Sequence, residues 1–189
     1  WSWKRIREIE GRGQMDIKGK ISSSVGKFEE LAGKIPGYKG YKQKELRREA
    51  DKLLRTTIAN QLSDLRMKLS GLQLDFLSAG KLYLVDDLER AVGKLQILID
   101  RLKTASYGYA GLFDAVKVKE EELDALYDYD HQLLGFVPRV EEGINNIATT
   151  LKEGGDLGVA IAALVTVLQE MDTVLNHRQE AILGTGETQ

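Results

Sequence analysis

A stripe of apolar residues with helical spacing most constrains what this chain can fold into. Between Tyr41 and Ala79 there is no proline and only one glycine, and the stripe alternates steps of four and three residues: Ile58, Leu62, Leu65, Leu69, Leu72 and Phe76. This spacing keeps one face of an α-helix against a partner helix. We expect a single helix over residues 41–79, roughly 58 Å long at about 1.5 Å per residue. A helix of that length needs other long helices alongside it.

Three later segments repeat the same pattern. One seam holds Val85, Leu88, Val92, Leu95, Ile99 and Leu102; the next runs from Leu123 to Leu151; the last runs from Leu157 to Ile182. In the second of these segments the spacing of apolar residues continues through Pro138 without a shift. This favours one helix kinked at the proline over two helices. The sequence therefore predicts an all-α fold, an elongated and mainly antiparallel four-helix bundle with coiled-coil-like packing and an additional N-terminal helical arm.

Capping residues mark where these helices are expected to begin and end. Gly80 follows the first long helix and suits a left-handed cap. Asp86 and Glu89 have the spacing of a capping box with aspartate as the cap. Gly154-Gly155 is expected to end the third long helix, and Asp156 to cap the last one.

The chain is predicted to divide into three regions. Residues 1–40 form a basic N-terminal arm with a weak helix from Asp16 to Lys34, because three glycines and three serines lower its helix propensity. Residues 41–183 form the long-helix bundle, and residues 184–189 form a disordered tail.

Charge is distributed unevenly along the chain. Residues 1–55 carry 15 Lys and Arg against 8 Asp and Glu, whereas residues 56–189 carry 12 against 21. The basic region either lies against the acidic face of the protein or a neighbour, or binds an anionic partner.

Cations near the glycine-containing turn at residues 36–40 are candidates for binding an anion or a protein partner, because this turn leads into a helix N-terminus. They are Lys39, Lys42, Lys44, Arg47 and Arg48. The alternative is a solvated helix face on which neighbouring acidic residues pair with these cations.

The first residues suit a membrane interface, since Trp1 and Trp3 stand beside Lys4 and Arg5. No run of about 18 apolar residues is apparent, so no transmembrane helix is expected. The absence of cysteine excludes disulfides and thiolate chemistry and agrees with a reducing compartment. The expected location is cytoplasmic, with peripheral membrane association as an option.

Asp130 takes the seam position between Leu126 and Leu133. A carboxylate facing the core needs a partner or a water molecule. It either fixes the register of the helices or takes part in chemistry, and the sequence favours register.

No catalytic, metal or cofactor motif stands out. A di-iron bundle site needs Glu-x-x-His on two helices, but the chain has only His131 and His177, and both lie off the seams. Nucleotide-binding loops and GxSxG are absent. A pI near 5.8 argues against specific nucleic acid binding. We therefore expect no cofactor, no metal and no enzymatic activity.

The stretches PGYKGYKQKELRREADKLLR and YGYAGLFDAVKVKEEELDALYDYD resemble segments of uncharacterised bacterial helical-bundle proteins. The layout of long helices is also similar to that of stress-response coiled-coil proteins that coat membranes, as an analogy of shape. The resemblance implies a helical bundle and assigns no activity to any residue.

Taken together, the sequence predicts a helical scaffold or adaptor that binds another protein or associates with itself. One alternative is a peripheral protein that binds a membrane or another anionic surface through the N-terminal arm. The other is a bundle enzyme that binds a metal or a small molecule.

Overall fold

The computed structural model describes residues 25–105, 111–115 and 117–184. The first described helix, α1, covers residues 25–34, and a short 3₁₀ helix follows at Lys44–Leu46. The long helices are α2 (Arg47–Ser78), α3 (Val85–Thr104), α5 (Glu120–Glu153) and α6 (Leu157–Leu183). A single turn, α4, lies at Gly111–Asp114, and a second 3₁₀ helix at Leu82–Leu84. The predicted all-α bundle is confirmed, and α5 is about 51 Å long.

Two antiparallel hairpins make up the bundle. Helices α2 and α3 form the first hairpin, in which Arg55 near the start of α2 donates to the carbonyl of Leu102 near the end of α3. Helices α5 and α6 form the second, in which Asp130 and Arg178 pair near one end. These two hairpin contacts are the most extensive in the fold.

The hairpins pack side by side with parallel neighbours. Lys68 of α2 pairs with Glu141 of α5, and Arg101 of α3 pairs with Asp172 of α6. Going around the bundle, the order is therefore α2, α3, α6, α5. The prediction of a mainly antiparallel bundle describes the hairpins, while both contacts between hairpins are parallel.

The predicted seams form the core. In α2 every seam residue is buried except Leu72, which is half-buried. Most of the seam residues in α3 are buried as well, and so are those of the last helix. Close approach of α5 and α6 depends on Gly143, where an added Cβ would lie 3.0 Å from Leu164 Cδ1. The hydrophobic effect of this continuous core stabilises the fold.

Part of the N-terminal arm belongs to the core. Leu31 and Ile35 are fully buried and Tyr38 nearly so. Nearer the solvent, Lys27 pairs with Asp128 of α5, and Glu30 pairs with His131 of the same helix. The arm therefore packs on the bundle from residue 25 onward. Residues 16–24 of the predicted weak helix and residues 185–189 of the predicted tail at 184–189 lie outside the described residues.

The ends of the helices match the prediction in part. Asp156 caps α6 by accepting from the Val159 N–H at 3.1 Å, and Gly80 has a φ of 69° after α2. The Lys81 N–H donates to the Phe76 carbonyl, which completes a Schellman-type end.

Two predicted helix starts were wrong. The first long helix begins at Arg47 rather than residue 41, because the positive φ of Gly40 turns the chain and Tyr41 is drawn into the core. Asp86 caps nothing, because the 3₁₀ helix carries the chain directly into α3 and places Asp86 in its first turn.

Pro138 lies inside α5, so the prediction of one helix through the proline is confirmed. The expectation about membrane spans needs correction for α6. By length and composition alone, an 18-residue window of Leu157–Leu183 is apolar enough to cross a membrane, and 33% of that window is buried in the bundle. Such a composition is also found in core helices of soluble proteins.

Two leucines of α2 test the packing. Leu69 is fully buried, and Leu74 is 69% exposed. We expect Leu69→Ala to lower the free energy of unfolding by about 2–5 kcal/mol, because it leaves a cavity. Leu74→Ala should change it by less than about 0.5 kcal/mol. Urea denaturation measures both, and equal losses would contradict the assignment of the seam.

Candidate functional site

A layer of buried charges crosses the bundle near the start of α2. Arg178 of α6 is fully buried between two carboxylates. Its Nε donates to Asp130 Oδ1 of α5 at 2.5 Å, and its Nη2 lies 2.9 Å from Asp51 Oδ1 of α2. The contact with Asp51 has the distance of an ion pair without the angle of a hydrogen bond. One guanidinium thus joins three of the four long helices.

Further donors complete this layer. Tyr41 donates to Asp130 Oδ2 at 2.7 Å and Tyr38 to the same oxygen at 3.3 Å. On the other side, Arg55 Nε donates to Asp51 Oδ2 at 2.9 Å. Two carboxylates and two guanidinium groups therefore balance within the core, as buried charges require.

Burial dominates the acid–base properties of the layer. It raises the pKa of Asp130 above the ordinary carboxyl value, although the adjacent Arg178 guanidinium acts in the opposite direction. Burial also raises the pKa of Tyr41 and of Tyr38 far above the ordinary phenol value. Both phenols therefore remain protonated donors at neutral pH.

Seam positions explain why these residues meet. Continuing the α2 stripe backwards from Ile58 in steps of four, three and four residues gives Leu54, Asp51 and Arg47. In α6, Arg178 takes the seam position between Leu175 and Ile182. Sequence reasoning singled out Asp130 and missed Asp51 and Arg178, although the interrupted seams carry the signal for all three.

Gly40 allows the chain to enter this layer. It has a φ of 70°, and an added Cβ would lie 2.5 Å from the Tyr127 hydroxyl oxygen and 2.8 Å from Phe28 Cε2. The next residue, Tyr41, donates its backbone N–H to that same Tyr127 oxygen at 2.9 Å. Both the backbone conformation and the close contact favour glycine here.

Arg47 does not belong to a solvated basic surface, contrary to the sequence interpretation. It is 3% exposed and donates to the carbonyl oxygens of Tyr41, Leu112 and Ala115 at 2.8–2.9 Å. The guanidinium thus holds the turn before α2 and the region of α4 together. Its charge is directed inward because it occupies a seam position.

The other predicted anion-binding cations lie near the surface. Arg48 is exposed, and its guanidinium binds Asp114 and lies over the Phe113 ring. Lys39 and Lys42 are exposed and Lys44 is half-buried. The structure brings these residues to one end of the bundle but does not converge them on a common point. The predicted membrane contacts Trp1, Trp3, Lys4 and Arg5 lie outside the described residues.

The histidines lie at the surface of the bundle. His131 pairs with Glu30, and His177 lies beside Tyr129. The Lys34 ammonium and then His131 lower the pKa of Glu30. Among residues 25–105, 111–115 and 117–184, no group of three His, Asp or Glu side chains is arranged to hold a metal ion.

A groove lined by both apolar and polar residues runs between α3 and α6 on the outside of the bundle. One depression of about 350 Å³ lies between Ile97 and Leu168, and another of about 400 Å³ between Arg90 and Ile161. Lys94 lines both, so they are consecutive parts of one groove. Ile97 is 58% exposed at its edge.

The two parallel sides of the bundle differ in their cover. Residues 25–38 lie over the start of α5, where Phe28 contacts Tyr127. On the other side α4 lies against the C-terminal end of α6, where an added Cβ on Gly111 would lie 3.4 Å from the Leu183 carbonyl oxygen. The groove between α3 and α6 is therefore the candidate interaction surface.

Comparisons with protein-family models, with curated proteins and with solved structures gave no match. The resemblance to bacterial helical-bundle proteins therefore stays a prediction.

Arg178→Met tests the buried layer. The change leaves two carboxylates in the core without their shared cation, so we expect a loss of about 3–5 kcal/mol in the free energy of unfolding at pH 7. The matched control is Lys68→Met, which breaks an exposed ion pair between α2 and α5 and should cost less than about 1 kcal/mol.

The loss in the free energy of unfolding caused by Arg178→Met should become smaller as the pH falls. A carboxyl group whose pKa is higher in the folded than in the unfolded state favours folding when it is protonated. Removing the cation raises the pKa of Asp130 further, so acid should restore part of the lost stability. Urea denaturation at pH 7 and pH 5 measures this, and an undiminished deficit at pH 5 would contradict the assignment.

Gly40→Ala tests the entry of the chain into the layer. It should lower stability by more than about 1 kcal/mol, because alanine strains the left-handed backbone and its Cβ crowds Tyr127. Gly93 of α3 is the control, since an added Cβ there meets nothing within 4 Å. Gly93→Ala should raise stability by about 0.5–1 kcal/mol. If the melting temperatures of the two variants shift in the same direction, the result would argue against a strained backbone at Gly40.

Proposed function

We propose that this chain is a non-enzymatic helical scaffold or adaptor that binds another protein through the groove between α3 and α6. The observation that carries the proposal is the mismatch in α6 between composition and cover. An 18-residue window of this helix is apolar enough to suit a membrane, yet only 33% of that window is buried. A helix that is apolar around its circumference is normally covered on most sides. A partner protein supplies the missing cover.

The buried polar layer supports a structural role over a catalytic one. Arg178 and Asp130 are both fully buried and bind partners from within the bundle. No described depression is lined by either residue. A catalytic group must reach a substrate, whereas a buried ion pair that joins α2, α5 and α6 supports a role in setting their relative register.

Arg178 also argues against the interpretation of α6 as a membrane-spanning helix. If α6 crossed a bilayer as a separate helix, the guanidinium would leave both Asp51 and Asp130, and two carboxylates would stay in the core without it. The apolar side of α6 is therefore better explained by a protein partner. A cytoplasmic location is part of the proposal.

A second proposal keeps the membrane as partner through the basic N-terminal region. The exposed Lys39 and Lys42 favour it, since they add to the surplus of cations in residues 1–55. On this proposal the protein binds anionic surfaces peripherally, and the groove takes no part.

Affinity capture from extracts of the native cell with matched variants tests these proposals. The groove variant is Ile97→Glu with Ala162→Glu, at two exposed positions that line the groove. The control is Met67→Glu, which changes a residue of α2 that is 60% exposed. A partner should be retained by the wild type and the control and lost by the groove variant.

The captured protein is then purified and its binding measured by titration calorimetry. Binding that the groove variant retains would overturn the groove as the site. Peripheral membrane binding would be favoured instead if the protein is recovered only with anionic vesicles and the groove variant binds them equally well. Circular dichroism melts confirm that each variant is folded before capture.

A further inference from the structure

The C-terminal half of α2 carries a second stripe, on the side that faces away from the core. Its members follow one another in steps of four, three and four residues: Met67, Gly71, Leu74 and Ser78. About two and a half helical turns separate Met67 from the fully buried Phe76, so this outer stripe and the seam lie on opposite sides of the helix. This part of α2 therefore has the spacing of a helix-pairing surface on both sides.

The outer stripe is open to solvent in the part of the chain that the structure describes. Met67 is 60% exposed and Leu74 is 69% exposed, and Leu77 beside them is 46% exposed. At Gly71 an added Cβ meets nothing within 4 Å, so a second helix can approach the backbone of α2 closely at this point. Several large apolar side chains exposed together on one helix face are typical of an interaction surface.

Two copies of the outer stripe fit each other in an antiparallel register. When the two-fold axis passes between Gly71 and Leu72, Met67 of one copy lies level with the gap between Leu74 and Ser78 of the other. By the same symmetry, Leu74 lies level with the gap between Met67 and Gly71 of the other copy. This is the staggered arrangement in which side chains of one helix fill the spaces of its partner.

The same register brings opposite charges together. Lys68 and Asp75 flank the outer stripe on one side and are about 10.5 Å apart along the helix, too far to pair within one chain. In the antiparallel contact, Lys68 of each copy lies level with Asp75 of the other, which gives two equivalent ion pairs. Lys68 also binds Glu141 of α5 at 3.0 Å, and its three N–H donors allow a second acceptor.

The charges around the outer stripe disfavour an anionic membrane as the occupant. Two exposed carboxylates, those of Asp64 and Asp75, flank the stripe together with the single ammonium of Lys68. Anionic headgroups are attracted by clusters of Lys and Arg, which this face lacks. A second copy of the chain, in contrast, supplies both the apolar stripe and the complementary charges.

We infer that this face of α2 binds a second copy of the chain, in an antiparallel α2–α2 contact centred between Gly71 and Leu72. The inference goes beyond the proposed function, because the contact uses a different side of the bundle from the groove between α3 and α6. The outer stripe is about 17 Å long. Because this is short for a protein interface, we expect a dissociation constant on the order of 1–100 μM.

Sedimentation velocity of the full chain tests the dimer at concentrations from about 1 to 500 μM. The wild type should change from monomer to dimer across this range. Met67→Glu and Leu74→Glu should each weaken association by about tenfold or more, because the contact would bury the new charge without a partner. The matched control is Ile97→Glu, at a position of α3 that is 58% exposed, and it should leave association unchanged.

A charge exchange tests the register. We expect Lys68→Glu and Asp75→Lys each to weaken the dimer by about tenfold, since each places like charges opposite one another. The double variant should return to within about threefold of the wild type, because it rebuilds both ion pairs with their signs reversed. The two residues are too far apart to pair within one chain, so this rescue reports a contact between copies.

Disulfide formation tests the antiparallel direction, and the chain has no cysteine of its own to interfere. The two copies of residue 71 face each other across the axis, within reach of a disulfide. The two copies of residue 78 are about 20 Å apart along the helix. Mild oxidation should therefore link Gly71→Cys into a dimer and leave the equally exposed Ser78→Cys as a monomer.

Four results would overturn the inference: a monomer at every concentration, a dimer that Met67→Glu and Leu74→Glu leave unchanged, a charge exchange without rescue, and equal crosslinking of the two cysteine variants. Circular dichroism melts confirm that each variant is folded. Capture of a cellular partner through the groove should survive Met67→Glu whether or not the chain dimerises. Failure of the dimer therefore leaves the proposed function standing, and failure of capture leaves the dimer standing.

Discussion

The guanidinium of Arg178 is the constraint on which the arrangement of helices depends. It lies between Asp130 of α5 and Asp51 of α2, with no part of it exposed. A buried ion pair gains stability only when geometry and additional hydrogen bonds offset desolvation, and here Tyr41 and Arg55 supply those bonds. An apolar seam tolerates a slip by one turn, because leucines replace leucines. The charged layer differs in this respect, because a slip would separate Arg178 from both carboxylates.

The same layer explains how the N-terminal region and α4 join the bundle. Tyr38 and Tyr41 donate hydrogen bonds to Asp130. Arg47 donates hydrogen bonds to carbonyl oxygens of the turn before α2 and of residues in and next to α4. Polar contacts are thus concentrated at one end of the bundle, while the rest of the core is apolar. The surface that we propose for a partner lies elsewhere, along α3 and α6.

The fold was largely predictable, since steps of three and four residues place apolar side chains on one face of a helix whatever its partners are. The seams from Ile58 to Phe76 and around Asp130 followed from that period alone. The start of α2 was mispredicted because the residues before Arg47 have acceptable helix propensity, and only the conformation of Gly40 and the burial of Tyr41 stop the helix there. The role of Arg47 was mispredicted for a related reason. Its charge suggested solvent, but its seam position decided its environment.

By itself the sequence determined the all-α class, the four long helices, the continuity of α5 through Pro138 and the inward position of Asp130, because each depends on local periodicity. Tertiary structure alone decided which helices are neighbours, that the hairpins meet in parallel, and that Asp51, Asp130 and Arg178 converge. It also decided which side of α6 is exposed in the part of the chain that the structure describes. These features depend on contacts between residues far apart in the chain, and a one-dimensional pattern gives the face of each helix but not the identity of the helix opposite.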